Sequence, residues 1–313
     1  LRKPGHEVDV NEAIRMEAAA INRKPVNRPD MERFLKILTE DIGERNLGVP
    51  DQLEKAAVWI ESTMRGGNIG YTVERQEYSV DGKVVRNLIA ELPGGKRRDE
   101  IIVVGAHYDT VPDCPGANDN GSSVASLLSL AQAFAGDSQE RTVRFVFFVN
   151  EEPPYFQTDR MGSVVYAKRC KQREENIVAM LALDTIGFYS EEEGSQKYPP
   201  GLEEAFPPKG NFLAFVANEA SRYNADTARS AFMRATEIPA LSGAFPEEIP
   251  GIGWSDHWSF WQEGFPGVMV TDTAPYRYPH YHLPSDTMDK IDLDQLTEVC
   301  QGLKSVIDAW ANP

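Results

Sequence analysis

Residues 101–123 place a buried strand, a polar loop and the start of a helix in direct succession. The stretch opens with the letters IIVV, an unbroken apolar run typical of a strand that is buried on both faces. His107 and Asp109 follow this run, and a loop rich in proline and glycine then presents Asp119 ahead of a segment with helical spacing. Ligands of an open α/β sheet bind at the carboxyl ends of its strands. These three side chains are therefore candidate metal ligands or catalytic groups.

The chain beyond residue 101 alternates between strand and helix patterns. Short apolar runs predict strands at 143–149, 177–183, 212–216 and 264–270. Apolar residues at helical spacing predict helices at 162–171 and 293–310. This alternation indicates an α/β fold with a mixed, mainly parallel central sheet and helices on both faces, in a single domain.

The segment before residue 101 adds an antiparallel element and an N-terminal extension. Residues 71–80 and 84–92 flank an Asp-Gly pair, which predicts a hairpin at an edge of the sheet. Residues 1–30 are polar, contain three prolines and have one short helical patch at 12–21. We therefore expect an N-terminal arm over 1–30, packed on a domain that spans 31–313.

The composition of the chain limits the kinds of partner that it can bind. The formal net charge of −16 argues against nucleic acid as a partner, because binding to phosphates needs a basic surface. The acidity weakly favours substrates that carry a free amine, although it also serves solubility alone. No run approaches the roughly 18 apolar residues of a membrane span. The chain starts at Leu1 rather than Met, which leaves the compartment open and is compatible with an extracytoplasmic or secreted protein.

Four predicted strand ends share one feature, since each is followed by an acidic residue or a histidine. The residues are His107 and Asp109, Glu151 and Glu152, Asp184, and His282, with Asp119 added from the loop ahead of the helix. A single His-x-Asp is more often structural, and adjacent glutamates usually form a solvated face. Several buried strands that deliver such groups to one edge are harder to explain in this way, because like charges repel and their burial is costly without cations.

Nitrogen and oxygen donors of this kind suit zinc or a similar first-row divalent ion. A carboxylate shared between two ions would give a two-metal hydrolytic site.

The sequence resembles the M28 family of metallopeptidases, which are mostly aminopeptidases with paired zinc ions. The resemblance rests on six segments in the family's order, covers roughly residue 73 to the C-terminus, and comprises HYDT, GANDNGSS, NEE, LDTIG, SDHWSF and YHLPSDT. It implies that the domain over 31–313 is a zinc peptidase catalytic domain that binds two zinc ions and acts on peptides with a free N-terminus. The oligomeric state stays open.

The resemblance also implies roles for individual residues. Asp119 would bridge the two ions, with His107 and Asp184 on one ion and Glu152 and His282 on the other. Two further residues would be catalytic, and four would support the ligands or the wall of the site.

Glu151 would be the general base that takes a proton from the metal-bridging water and returns it to the leaving amine. Tyr281 matches a tyrosine that polarises the scissile carbonyl in some members, and a packed aromatic residue is the competing interpretation.

The supporting acids would be Asp109 and Asp286, which would orient the imidazoles of His107 and His282. Asp256 and His257 fall in the SDH segment as wall and network residues. A hydrogen-bonded structural histidine is an equal interpretation of His257.

Three alternatives to an aminopeptidase remain. A carboxypeptidase-like member would need a basic residue such as Arg160 or Arg277 to hold the substrate carboxylate. A glutaminyl cyclase would work with one zinc ion, and a non-catalytic binding domain would have lost ligands that are present here. The aromatic residues that hint at an apolar substrate pocket are Phe156, Phe245, Trp254 and Trp258.

Overall fold

The computed structural model describes residues 25–66, 69–203 and 205–313. Most of the predicted N-terminal arm, with its helix at 12–21, lies outside these ranges. The first described helix begins at Arg28 and continues beyond Lys36 as a wider π-helical turn, Ile37–Ile42. No helix among the described residues has the length and apolar character needed to cross a lipid bilayer.

The strands form one mixed sheet with the order β1-β2-β4-β3-β5-β8-β6-β7. In chain order they are β1 (Val73–Val80), β2 (Lys83–Leu92), β3 (Gly94–His107), β4 (Gln139–Phe148), β5 (Asn176–Leu183), β6 (Leu213–Ala217), β7 (Ala240–Ala244) and β8 (Val268–Thr271). The central strands β4, β3, β5 and β8 are mutually parallel. The mixed, mainly parallel sheet is therefore confirmed.

The helices flank this sheet on both faces. They are α1 (Arg28–Lys36), α2 (Pro50–Arg65), α3 (Ser123–Phe134), α4 (Gly162–Gln172), α5 (Arg222–Met233), α6 (His257–Gln262), α7 (Ala274–Arg277) and α8 (Leu293–Ala311). Strand β3 shows why both faces are covered. Its Ile102 and Val104 join the core beneath α1, α2, α3, α5 and α8, whereas Ile101 and Val103 join the core beneath α4 and α6.

The hairpin at the sheet edge forms as its turn residues require. Asp81 and Gly82 have φ values of +50° and +77°, the left-handed conformation that two-residue hairpin turns need. Strands β1 and β2 pair antiparallel from Val73 opposite Ala90 to Val80 opposite Lys83. Strand β3 begins earlier than its apolar run suggested, at Gly94, because its polar first half also pairs irregularly with β4.

The sheet topology brings the polar strand ends together. Strands β4, β3, β5 and β8 are adjacent and parallel, so their carboxyl ends lie side by side at one edge. The loops that leave this edge carry the residues of the candidate site.

Candidate active site

Six acidic and histidine side chains converge at the carboxyl edge of the central strands. His107 is the last residue of β3, and Asp184 follows β5 directly. Glu151 and Glu152 follow the end of β4 at Phe148. The other two come from loops, Asp119 from the helical turn ahead of α3 and His282 from the segment after α7.

The carboxylate of Asp119 lies between the two imidazoles. Its Oδ1 atom is 3.3 Å from Nε2 of His107, and its Oδ2 atom is 3.1 Å from Nε2 of His282. Each oxygen of one carboxylate therefore faces a different histidine. This is the arrangement expected of a carboxylate shared by two metal positions.

A second carboxylate accompanies each imidazole. Oδ1 of Asp184 is 3.8 Å from Nε2 of His107, and Oε2 of Glu152 is 3.2 Å from Nε2 of His282. Two groups of possible ligands share Asp119, one with His107 and Asp184 and the other with Glu152 and His282. A third group comprises His107, Glu151 and Glu152. Within each group, ligand atoms from the three residues all lie within 4.8 Å of one another.

Burial makes these charges costly. Asp119, Glu151 and Glu152 are each no more than 5% exposed. Burial raises the pKa of the Glu152 carboxyl to about 7 and that of Glu151 well above its usual range. Burial also raises the pKa of Asp184. Burial thus favours the neutral form of Glu151, Glu152 and Asp184.

The pKa values of the two imidazoles are also raised, which for a histidine favours the charged form. Burial lowers the pKa of His282, but hydrogen bonds with Asp119 and Glu152 outweigh it and raise the pKa to about 10. For His107, burial again opposes the charge, and Glu151 with the nearby aspartates raises the pKa well above its usual range. Among the described residues, no Lys or Arg forms an ion pair with the carboxylates of the six. Both imidazoles therefore favour the protonated form, and their positive charges compensate the carboxylates as bound cations would.

Asp109 supports the histidine and the glutamates at once. Its Oδ1 atom lies 3.5 Å from Nδ1 of His107 and accepts the backbone N–H of Glu151 at 3.1 Å. Its Oδ2 atom accepts the backbone N–H of Glu152 at 3.0 Å. One buried carboxylate therefore fixes the ends of both β3 and β4.

Asp286 has different partners from those predicted. Its carboxylate accepts the backbone N–H groups of Asn118 at 2.8 Å and Asp119 at 3.1 Å, and the hydroxyl of Tyr278 at 2.7 Å. No ion pair joins it to His282 among the described residues. Asp286 holds the Asp119 loop rather than the imidazole, because the loop carrying it packs against the backbone ahead of α3.

The SDH segment, Ser255 to His257, is buried and directly follows Trp254 in the chain. Nε2 of His257 donates to the carbonyl oxygen of Ile252 at 2.8 Å, and its ring packs edge-on against Trp261. Burial lowers the pKa of His257 to about 4, which keeps the imidazole neutral. These contacts are those of a structural histidine. Asp256 is buried, and burial raises its pKa to about 7.

Tyr281 lies between the acidic centre and an apolar cavity. Its ring stacks on the imidazole of His282, with the ring centroids 3.9 Å apart. Tyr281 and Asp184 both line a cavity of about 110 Å³ whose other walls are largely apolar. Its aromatic lining also comprises Tyr198, Phe206, Phe212, Phe215, Phe245, Trp254 and Tyr276. Of the aromatic residues anticipated from the sequence, Phe245 and Trp254 line the cavity, whereas Phe156 and Trp258 do not.

The family assignment follows from comparison with known proteins. The model of peptidase family M28 matches residues 87–307, which is more than half of the chain. The chain belongs to peptidase family M28. Membership confirms the metallopeptidase family indicated by the sequence and, with it, the prediction of a zinc-dependent hydrolase of peptides.

Two relatives align with much of this M28 peptidase. Uncharacterized protein YfbL of Escherichia coli K12 is 32% identical over 286 residues, covering 88% of this chain and 86% of that protein. A probable leucine aminopeptidase of Arthroderma otae is 26% identical over 260 residues, covering 78% of this chain. The matched part is 63% of that fungal protein's length.

Solved structures share the fold of the M28 peptidase. BSAP, a zinc aminopeptidase from Bacillus subtilis, superposes with a TM-score of 0.75 at 16% identity, covering 92% of this chain and 96% of that chain. The Fimbriiglobus ruber glutaminyl cyclase superposes with a TM-score of 0.64 at 22% identity and the same coverages, 92% and 96%. At these identities the likeness shows the fold alone.

The side chains present in this M28 peptidase fit a zinc centre. The donors are imidazole nitrogens and carboxylate oxygens, the ligand types that zinc accepts. Oε1 of Glu152 is buried and has no hydrogen-bond partner, so a ligand atom is available at the site. Burial and the neighbouring carboxylate of Asp119 raise the pKa of the Glu152 carboxyl, and a cation bound there would oppose both effects.

Two features of the site were missed by the sequence analysis. The segment over 189–210, which the sequence analysis did not place at the site, contributes Gln196, Tyr198 and Phe206 to the cavity wall. Its aromatic residues amid acidic and proline-rich sequence were the available signal. A buried aspartate, Asp272, was also overlooked, since the TDT letters around it carry no distinctive pattern.

Proposed function

We propose that this M28 peptidase is a two-zinc aminopeptidase that releases apolar residues from the N-terminus of peptides. The observation that carries the proposal is the placement of Asp119, whose two oxygens face His107 and His282 at 3.3 and 3.1 Å. Asp184 of the same centre lines an apolar cavity. Family membership supports the peptidase chemistry.

The residues that would hold the two ions follow from the two groups that share Asp119. His107 and Asp184 would bind one ion, and Glu152 and His282 the other, with Asp119 shared. Bound zinc would lower the pKa of water and polarise the scissile carbonyl.

Glu151 is the proposed general base and acid. Its Oε2 atom lies 3.8 Å from Nε2 of His107, among the ligand groups but outside both sets proposed for the two ions. A buried carboxylate with high proton affinity can take a proton at Oε2 from the attacking water and return it to the leaving amine. Asp109 holds the backbone at Glu151 and so fixes where that carboxylate lies.

The apolar cavity is the proposed binding site for the first side chain of the substrate. Its volume of about 110 Å³ is below the roughly 150 Å³ of an engineered cavity that admits benzene, so it suits a side chain of the size of leucine and at most a phenyl group. Asp184 lines the same cavity, so the ammonium group of a residue bound there would lie close to a carboxylate. A free N-terminus is thus favoured over an acylated one.

The alternatives receive less support from the contacts. Arg160 is paired with Asp81 at 2.6 Å, and the guanidinium of Arg277 donates to Gln196 at 2.7 Å. Neither arginine lines the cavity, although Lys197 does. A glutaminyl cyclase shares the fold. A one-zinc reaction, however, would leave one of the two pairs, His107 with Asp184 or Glu152 with His282, without a metal to bind.

A panel of short peptides tests the proposal. The zinc-loaded full chain would be incubated with peptides whose N-terminus is free or acetylated and whose C-terminus is free or amidated, with and without a chelator. Chelator-sensitive release of the first residue from free N-termini only, fastest for leucine or phenylalanine, is the expected result. Loss of the last residue would indicate a carboxypeptidase. Cyclisation of N-terminal glutamine without hydrolysis would indicate a cyclase, and either outcome would overturn the proposal.

A further inference from the structure

A fully buried carboxylate connects the two loops that carry Asp119 and Asp184. Asp272 follows the end of β8 and has no exposed surface. Its Oδ2 atom accepts Nδ2 of Asn118 at 2.9 Å, and its Oδ1 atom accepts the hydroxyl of Thr185 at 2.8 Å. Asn118 directly precedes Asp119 in the chain, and Thr185 directly follows Asp184. The side chain of Asp272 is therefore hydrogen-bonded to the chain neighbours of both proposed metal-binding aspartates.

We propose that Asp272 is a positioning residue, which fixes Asp119 relative to Asp184 and thereby sets the affinity of the site for zinc. This inference rests on the proposed zinc site, but it does not depend on which peptide bond the enzyme cleaves.

The backbone at Thr185 needs such support. Thr185 is β-branched and has a φ of +51°, a left-handed conformation that is costly for such a residue. Its carbonyl oxygen accepts the backbone N–H of Asp272 at 2.7 Å, while its own N–H donates to Oδ1 of Asn120 at 3.2 Å. Asp272 thus holds Thr185 through both its backbone and its side chain. The turn that follows β5 at Asp184 is fixed as a consequence.

The amide of Asn118 is fixed in one orientation. Its Oδ1 atom accepts the backbone N–H of Gly187 at 2.9 Å, so its Nδ2 group is the side that faces Asp272. The backbone N–H of Asn118 donates to Asp286, as described above. With the side chain and backbone of Asn118 both held, the next residue, Asp119, has little freedom to move away from the histidines.

Asp272 is suited to this role only as an acceptor. Its Oδ2 atom accepts the backbone N–H of Phe188 at 2.9 Å in addition to Asn118. An asparagine at this position would place an NH₂ group against at least one of these donors or lose one contact. Asp272→Asn is nearly isosteric, so it changes the hydrogen bonds without creating a cavity.

The test compares zinc affinity of the metal-free full chain between wild type and Asp272→Asn, using competition with a chromogenic chelator. We expect the dissociation constant for zinc to rise by about 10–100-fold, as for other residues that orient metal ligands. At saturating zinc, kcat should fall while KM changes little. An affinity within about threefold of wild type, with unchanged kcat, would overturn the inference.

Two controls separate positioning from general destabilisation. Val306→Ala removes buried carbon atoms from α8, near the helix end that contacts the start of β4. There the carbonyl oxygen of Trp310 accepts a hydrogen bond from the guanidinium of Arg141. Val306→Ala should lower the melting temperature and leave zinc affinity unchanged. Asp226→Asn on α5 removes the same charge at an exposed position and should change neither. Equal loss of zinc affinity in Val306→Ala would also overturn the inference.

If Asp272→Asn does not fold, Thr185→Val replaces it as the test variant. Valine keeps the shape of threonine but removes the hydroxyl that donates to Asp272. It should weaken zinc binding in the same direction, and unchanged affinity would again contradict the role. A wild-type chain that binds zinc but cleaves no peptide would refute the aminopeptidase proposal alone, because the comparison of zinc affinities would still decide the role of Asp272.

Discussion

The ring of Tyr281 stacks on the imidazole of His282, with centroids 3.9 Å apart and planes 18° from parallel. Burial raises the pKa of Tyr281 above its usual range, and the surrounding carboxylates add to the effect. The hydroxyl therefore stays neutral and can donate a hydrogen bond at neutral pH. Because Tyr281 also lines the apolar cavity, this donor lies beside the position proposed for the scissile bond.

Tyr281→Phe keeps the stack and removes only the hydroxyl. We expect kcat on a leucine substrate to fall roughly 100–1,000-fold, the range for a single donor to a developing oxyanion. Zinc content should not change, since the residue is not a proposed ligand. Steady-state kinetics and metal analysis check both points. A kcat within about twofold of wild type would assign Tyr281 to packing alone.

Glu151→Gln removes the proposed base while preserving the shape of the side chain. The expected result is a loss of kcat of about 10²–10⁴-fold, the usual contribution of a positioned general base. Zinc per chain should remain that of wild type, because Glu151 lies outside the proposed ligand sets. Glu152→Gln is the matched control one residue away, and it should lose zinc. Near-normal turnover by Glu151→Gln would show that another group moves the proton.

Removing single ligands should separate the two metal positions. After dialysis, the wild type should retain about two zinc ions per chain and His282→Ala about one, because only one of the two groups loses its imidazole. Asp119→Ala should retain less than His282→Ala, since its carboxylate faces both histidines. Metal analysis against protein concentration measures these ratios. Equal retention by the two variants would argue against a shared Asp119.

Ala214→Leu should narrow the specificity of the enzyme. Ala214 lies on β6, lines the cavity and is 7% exposed. A leucine there would fill much of the cavity of about 110 Å³ and leave room only for small side chains. The ratio of kcat/KM for leucine over alanine substrates should fall by about 10–200-fold, the range per methylene in an apolar pocket. An unchanged ratio would place the first side chain elsewhere.

His257 should make stability depend on pH. The pKa of His257 is about 4 in the folded protein, against 6.5 for an exposed histidine side chain, because burial disfavours the cation. The unfolded chain therefore binds a proton that the folded chain does not between these pH values. The contribution of His257 is present above about pH 6.5 and is lost as the pH falls toward 4.

Urea unfolding can measure this effect. Between pH 7 and 4 the free energy of unfolding should fall by about 3 kcal/mol more in the wild type than in His257→Gln, which does not titrate. Parallel curves for the two proteins would show that His257 titrates normally in the folded state.

Much of the site was predictable because parallel strands align their carboxyl ends. The apolar run before His107 and the run before Glu151 were each visible locally, and β3 and β4 are neighbours in the sheet. The hairpin around Asp81 and Gly82 was also a local property, set by the left-handed conformation of its turn. Patterns of this kind lie within a few residues of one another and need no knowledge of the tertiary fold.

Other contacts depend on residues far apart in the chain. Asp286 binds backbone groups 168 and 167 residues earlier, and Asp272 binds Asn118 across 154 residues. The segment over 189–210 forms part of the cavity wall because Gln196 is hydrogen-bonded to Thr273 and Arg277. No periodicity or turn signal encodes these pairings, since they arise only when the loops pack against one another.

The sequence by itself determined the fold class, the strand ends that deliver the acids and histidines, and the family that these segments resemble. Only the tertiary structure decided which oxygen of Asp119 faces which imidazole, what Asp286 and Asp272 hold, and where the apolar cavity lies. The physical reason is that backbone propensity and hydrophobic period act over a few residues, whereas the direction of a side chain in a loop is set by long-range packing and hydrogen bonds.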